Sequence, residues 1–218
     1  MTEYFQKNLF YNISFEEYQQ LLTCLKARER HFLSGETICS YGQLPSIGIL
    51  GSGSALVVRY EVNGARTILE RLEPQDLFGQ IMAYQKNPCS GITVVANTPA
   101  DVLFIDYEGI ARPCSKSCAC HHQLIRNLLS MICEKALSLS ERVEVLSQRT
   151  IREKLTCFFL QMAGQANSRS FVLPFTMVDL ADYLSVDRSA MTRELRRMKD
   201  EGLIEMKRRN IRLHLEGI

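Results

Sequence analysis

The apolar positions of this chain follow three different periods in succession. Up to about residue 30 they fall at helical steps. Ser14-Phe15-Glu16-Glu17 is a capped start, and Tyr18, Leu21, Leu22 and Leu25 form a stripe that must be buried. After His31 the period drops to two. Thr37-Ile38-Cys39 and Ile47-Gly48-Ile49-Leu50 read as short strands, with turns at Ser34-Gly35-Glu36 and Gly51-Ser52-Gly53-Ser54. ALVVRYEV and ARTILERL then flank Asn63-Gly64, the favoured two-residue hairpin turn, because both of its positions need positive φ. Leu72 to Asp76 breaks the pattern, and Ile92–Ala96 and Val102–Ile105 supply two more strands. Many short strands with glycine-rich corners predict a compact β barrel or roll.

From about Cys118 to Gln148 the helical period returns. Ile125, Leu129, Ile132, Ala136, Leu139, Val143 and Leu146 recur at alternating steps of four and three, an unbroken heptad seam. Such a seam predicts a helix zipped in parallel against a second copy. A further helix spans Thr150 to Met162, and Gly164 to Ser168 is a loop.

The chain's most specific pattern is TMVDLADYLSVDRSAMTRELRRM, Thr176 to Met198. Thr176 caps a short helix, with Asp179 three residues on as a variant capping box. Leu180, Tyr183 and Leu184 give it one apolar face, and Ala181 is small where a second helix must cross. Ser185-Val186 turns the chain, and Asp187 caps a second helix starting at Arg188. Its Met191, Leu195 and Met198 must face inward, leaving Arg188, Ser189, Thr192, Arg193, Arg196 and Arg197 outward. A cationic, hydroxyl-bearing helix on a small apolar base suits the major groove of DNA. After Gly202, Leu203-Ile204 begins a strand, Lys207-Arg208-Arg209-Asn210 a turn, and Ile211, Leu213 and Leu215 alternate in a second strand. The module is therefore a winged helix.

Charge sharpens this picture. The whole chain carries only +2, yet from Arg188 to Arg212 nine Lys or Arg stand against Glu194, Asp200, Glu201 and Glu205. One concentrated basic patch on a near-neutral chain suits local phosphate contact. The 46% apolar content is enough for real cores. No apolar run approaches the roughly 18 residues of a membrane span, and no basic-then-apolar leader opens the sequence, so a cytoplasmic protein is expected. Eight cysteines are present, most of them scattered among apolar neighbours as reduced thiols usually are.

A helical start, a β roll, a long dimer helix and a winged helix, in this order, resemble the Crp-Fnr bacterial transcription regulators over essentially the whole chain. The matching marks are Gly35-Glu36, Leu50-Gly51-Ser52-Gly53, Asp76-Leu77-Phe78-Gly79 and the helix pair. The resemblance implies an α+β fold: an N-terminal double-stranded β-helix, or jelly-roll-like β roll, over residues 1–116, a dimerisation helix over 117–148, and a C-terminal winged helix-turn-helix over 149–218. It also implies a homodimer, double-stranded DNA as partner, and RNA polymerase as a further partner. The family reads DNA with the first turn of the second helix and an arginine about five residues on, which here resemble Arg188, Ser189, Thr192 and Arg193. Arginine suits guanine O6 and N7, so Arg188 and Arg193 are the expected base readers. Thr176, Lys207, Arg208 and Arg209 are the expected phosphate contacts, which position without specifying. Ser189 stands where members often carry a base-reading glutamate, and Ser185 where the turn usually has glycine.

The family's β roll often senses a small ligand, and the best known members bind a cyclic nucleotide through a glutamate and an arginine-serine pair. The corresponding segment here is Phe78, Gly79, Gln80 and Ser90, with Gln80 in place of Glu and Ser90-Gly91 in place of Arg-Ser. A buried phosphate without a cation is costly, so cyclic AMP is not expected to bind. The roll then senses another, unidentified small molecule or serves as a scaffold. Cys114, Cys118, Cys120 and His121 are close enough in sequence to hold zinc or an iron–sulfur cluster, to act as a redox switch, or to be plain thiols. Oxygen-sensing members ligate their cluster through an N-terminal extension, which this sequence does not carry, and no cofactor is assigned. No nucleophile–base pair, phosphate loop or paired carboxylates stand out, so no enzyme is expected. The rival to a DNA-binding regulator is a ligand or redox sensor whose winged helix docks a protein partner.

Overall fold

A computed structural model describes residues 8–40, 46–61, 64–79, 91–111 and 119–214. The chain divides into two compact units, Met1–Lys135 and Ala136–Ile218.

In the first unit Ser14 caps α1 (Phe15–Cys24) with a complete capping box: its side chain accepts from the Glu17 N–H, and Glu17 accepts from the Ser14 N–H. Among the described residues eight strands follow: β1 (Arg28–Phe32), β2 (Thr37–Ser40), β3 (Ser46–Ser52), β4 (Ala55–Tyr60), β5 (Arg66–Leu72), β6 (Leu77–Phe78), β7 (Ile92–Ala96) and β8 (Ala100–Asp106). They form two antiparallel four-stranded sheets, β1-β8-β3-β6 and β2-β7-β4-β5. Phe32, Leu50, Phe78, Val102 and Phe104 from the first sheet meet Ile38, Val57, Leu72, Val94 and Ala96 from the second in one core. The opposite face of the first sheet is also covered. Ile47, Ile49, Leu103 and Ile105 pack there on Phe10, Tyr18, Leu21 and Leu25, and on Leu124 of α3 (Ala119–Ser147). Burial on both faces is why β3 and β8 are apolar at consecutive rather than alternate positions. Asn127 of α3 binds the N-terminal segment, donating from Nδ2 to the carbonyls of Leu9 and Tyr11 at 2.9 and 2.8 Å.

Three local expectations change. The extended segment begins at Arg28, before His31, although four of the five residues of β1 are exposed. Its pairing with β8, Arg28 against Phe104 through Phe32 against Ala100, defines it. A charged edge strand carries no hydrophobic signal. A short helix, α2 (Tyr107–Ala111), follows β8, and a three-residue strand, β9 (Ser170–Val172), precedes the helix pair.

In the second unit α4 (Ile151–Ala166) starts at a Thr150–Glu153 capping box and ends at Asn167 in the left-handed region. It runs four residues beyond the expected end, through Gly164. Then come α5 (Met177–Leu184), α6 (Arg188–Asp200), β10 (Ile204–Lys207) and β11 (Asn210–Leu213). The sheet order is β10-β11-β9, all antiparallel. Leu155, Phe159, Leu173, Leu180, Leu184, Met191 and Met198 are all but fully buried. Phe158, Phe175 and Tyr183 cluster beside them, with the Phe175 and Tyr183 rings stacked at 4.7 Å. No described helix is long and apolar enough to cross a membrane.

Candidate nucleic-acid interface

The helix pair is built as its sequence predicts, with one change at the first cap. Thr176 Oγ1 accepts from the Asp179 N–H at 3.1 Å, but its hydroxyl donates to Asp179 Oδ2 at 2.7 Å. The acid therefore locks the capping side chain in place. Ser185 ends α5 at φ +53°, ψ +54°, and the Val186 N–H donates to the Ala181 carbonyl at 3.1 Å. A left-handed residue is what lets the chain reverse in so few residues. Asp187 Oδ1 accepts from the Ala190 N–H at 2.8 Å and starts α6.

Met191, Leu195 and Met198 fix α6 to the core, so the other side of the helix faces outward. All eight residues expected at a DNA surface are exposed: Thr176, Arg188, Ser189, Thr192, Arg193, Lys207, Arg208 and Arg209. Thr192 donates to the Arg188 carbonyl at 2.8 Å, which commits its proton and leaves its methyl and lone pairs outward. Gly202, at φ +72°, terminates α6. Its N–H donates to Lys199 and that of Leu203 to Met198, the double bond of a Schellman end. The chain is thereby turned into the wing, whose hairpin tip is the two-residue turn Arg208-Arg209 with Arg208 at φ +57°.

Sequence reasoning missed two arginines that brace this module. Arg152, on the first turn of α4, donates to Glu194 at 2.5 Å and doubly to Glu201 at 2.7 Å. Those bonds hold the Glu201 carboxyl below the usual carboxylate range. Buried Arg142 of α3 stacks on Tyr183. Partners 41 to 49 residues away leave no local signal in the sequence.

On the seam, Ile125, Leu129, Ile132, Ala136, Leu139 and Val143 are exposed, Leu129 and Val143 each 62%, while Leu146 is half-buried. Of the expected effector segment, Phe78 is only 2% exposed and Gly79 has φ +83°. The Phe78 ring lies edge-on to Phe104 and presses on Gly48, where an added Cβ would sit 2.2 Å from its Cζ. Gln80 and Ser90 lie outside the described residues. Just before Phe78, the Leu77 carbonyl accepts from Lys135 of α3 at 2.5 Å, and Lys135 also pairs with Glu70 at 2.9 Å. Cys120 and His121 are both 5% exposed, Cys120 within apolar packing and His121 donating from Nε2 to the Ile110 carbonyl at 3.2 Å. Cys114 and Cys118 lie outside the described residues. Among the described residues no group of three His, Cys, Asp or Glu is placed to hold a metal.

Comparison with known proteins divides along the same two parts. Residues 29–117 match the cyclic nucleotide-binding domain and residues 153–216 the Crp-like helix-turn-helix domain. A curated relative, "Probable transcriptional regulator flp" of Lacticaseibacillus casei, is 28% identical over 91 residues, and the match spans 42% of either chain. Among solved structures, FixK2 of Bradyrhizobium japonicum is similar with TM-score 0.66 and 20% identity, covering 87% of this chain and 93% of its own. The c-di-GMP responsive global regulator CLP of Xanthomonas campestris gives 0.71 and 12%, covering 90% and 99%. A CooA mutant of Carboxydothermus hydrogenoformans gives 0.73 and 17%, covering 95% and 92%. At such identities the structural likeness establishes the fold.

Proposed function

The chain belongs to the Crp-Fnr family of transcription regulators, and from that membership we propose that it acts as a cytoplasmic homodimer that reads DNA through α6 of each copy. The observation that carries this reading is the two-sided build of α6. Three apolar residues anchor one side, and Arg188, Ser189, Thr192 and Arg193 stand exposed on the other. Arg188 and Arg193 read base edges, and Thr176, Lys207, Arg208 and Arg209 hold phosphates. The exposed seam of α3 zips two copies in parallel, so two recognition helices reach half-sites about 34 Å apart.

The β roll responds to a small effector other than cyclic AMP. Gln80 and Ser90-Gly91 bring no cation to a phosphate, and Phe78 fills the roll's core. An effector that moves the Phe78–Gly79 segment pulls on the Leu77 carbonyl and hence, through Lys135, on α3. The dimer helices then carry the change to the spacing of the winged helices on DNA, where RNA polymerase is the further partner. The whole reading is one of binding and assigns no catalytic step.

Random-duplex selection with the purified protein at two salt concentrations tests it. A palindrome should emerge. Arg193→Ala should cost about 1–3 kcal/mol and relax one base position, whereas Lys207→Ala should weaken all sequences alike. Binding without sequence preference under every condition would instead assign the winged helix to a protein partner.

A further inference from the structure

The recognition helix carries three acids, Glu194 and the exposed Asp200 within α6 and Glu201 at its C-cap, and Glu194 and Glu201 share a partner. Both turn toward one residue of another helix. Arg152 lies on the first turn of α4, which the Thr150–Glu153 box stiffens with bonds of 3.0 and 3.2 Å. Its Nε donates to Glu194 Oε1 at 2.5 Å, and Nη1 and Nη2 donate to the two oxygens of Glu201, each at 2.7 Å. A planar guanidinium is the side chain that can satisfy two carboxylates at once with fixed directions. Glu194 is the more enclosed partner, its side chain 14% exposed, and its second oxygen lies 3.6 Å from Arg197. Two arginines therefore balance two carboxylates at the base of the helix. The exposed Arg188, Arg193 and Arg196 are left with no opposing charge from these acids.

We propose that Arg152 is a positioning residue for DNA reading: by drawing Glu194 and Glu201 onto α4 it masks these two acids from DNA phosphates. This rests on the DNA-reading function proposed above. With the clamp gone, the two carboxylates repel the duplex. Glu194 would also compete for the helix's own arginines, Arg197 first.

The test uses the full-length protein and a labelled duplex recovered by wild-type selection, with affinity read by fluorescence anisotropy across a salt series. Arg152→Ala should bind about tenfold more weakly at low salt, and the deficit should shrink as salt screens the repulsion. Adding Glu194→Gln and Glu201→Gln to it should restore most of the affinity, which repair of a merely structural role would not do. Arg152→Lys should fall between, since one ammonium cannot hold both carboxylates. Arg152→Gln, which removes the charge but keeps a donor, replaces Arg152→Ala if thermal melting finds that variant unfolded. A wild-type chain that selects no duplex overturns the DNA reading and this proposal with it. Unchanged affinity in Arg152→Ala, or a deficit that persists in the triple variant, overturns the masking alone.

Discussion

The guanidinium of Arg142 lies 4.3 Å over the Tyr183 ring and donates from Nη2 to the Tyr183 carbonyl at 3.3 Å. One side chain near the end of α3 thus caps the last turn of α5 and covers its aromatic face. Tyr183 in turn stacks on Phe175. A cation favours the carbonyl end of a helix, and a desolvated cation–π contact is worth up to about 2 kcal/mol. Arg142→Ala should therefore destabilise the winged unit by roughly 2–3 kcal/mol. Arg142→Lys should recover less than half of that, because an ammonium lacks the planar stack. Denaturant unfolding of the two variants checks both values.

Ser185 and Arg208 both hold positive φ, +53° and +57°. Glycine takes that region without a Cβ penalty, so Ser185→Gly should raise stability by about 0.5–1 kcal/mol without loss of DNA binding. Arg208→Gly should raise stability similarly yet weaken DNA binding and lower the salt slope by about one, if its guanidinium holds a phosphate. A melting curve and a salt titration separate the two effects.

The proposed dimer depends on the α3 seam. Leu129→Asp with Leu139→Asp should convert the dimer to a monomer in sedimentation velocity while helical circular dichroism persists. Both side chains are at least half exposed within a single copy, so neither substitution empties a core. A double variant that still sediments as a dimer would reject the seam as the interface.

Gly48 faces the Phe78 ring, whose carbon atoms would lie 2.2–2.7 Å from an added Cβ. Gly48→Ala should cost about 1–3 kcal/mol through overpacking. Phe78→Leu in the same chain should return much of it by vacating the space. Thermal melts of the single and double variants give the coupling directly.

Cys39 is buried between the sheets, and burial pushes its thiol up to about 12, against a weaker opposing bond from Val94. The fold thus favours the neutral thiol. Its contribution is fully present below the ordinary thiol value of about 8.5 and is lost as pH rises from there toward 12. Iodoacetamide at pH 9 should label exposed Cys24 and spare Cys39 until the protein unfolds, as read by peptide mass spectrometry.

Local chemistry made the elements legible. Ser14, Thr176 and Asp187 cap the helices that follow them, because a cap needs only its neighbour three residues on. The buried Met191, Leu195 and Met198 were likewise readable, since helical period alone sorts one side from the other. The exposed strand β1 was not readable, nor was the two-residue strand β6, because pairing partners define both.

The sequence by itself determined the helix pair and its cationic side, the basic wing, the heptad seam and most of the individual β strands. Each of these rests on spacings of a few residues. Tertiary structure decided what long-range contact decides: that Phe78 fills a core against Gly48, that Cys120 packs among apolar side chains, and that Arg142 stacks on Tyr183. It also brought Glu194 and Glu201 to Arg152. In the sequence those two acids merely subtract from a count of nine basic residues. In the fold one arginine, more than 40 positions earlier, takes both of them up. A charge count is additive along a chain, whereas electrostatic masking depends on distance in space.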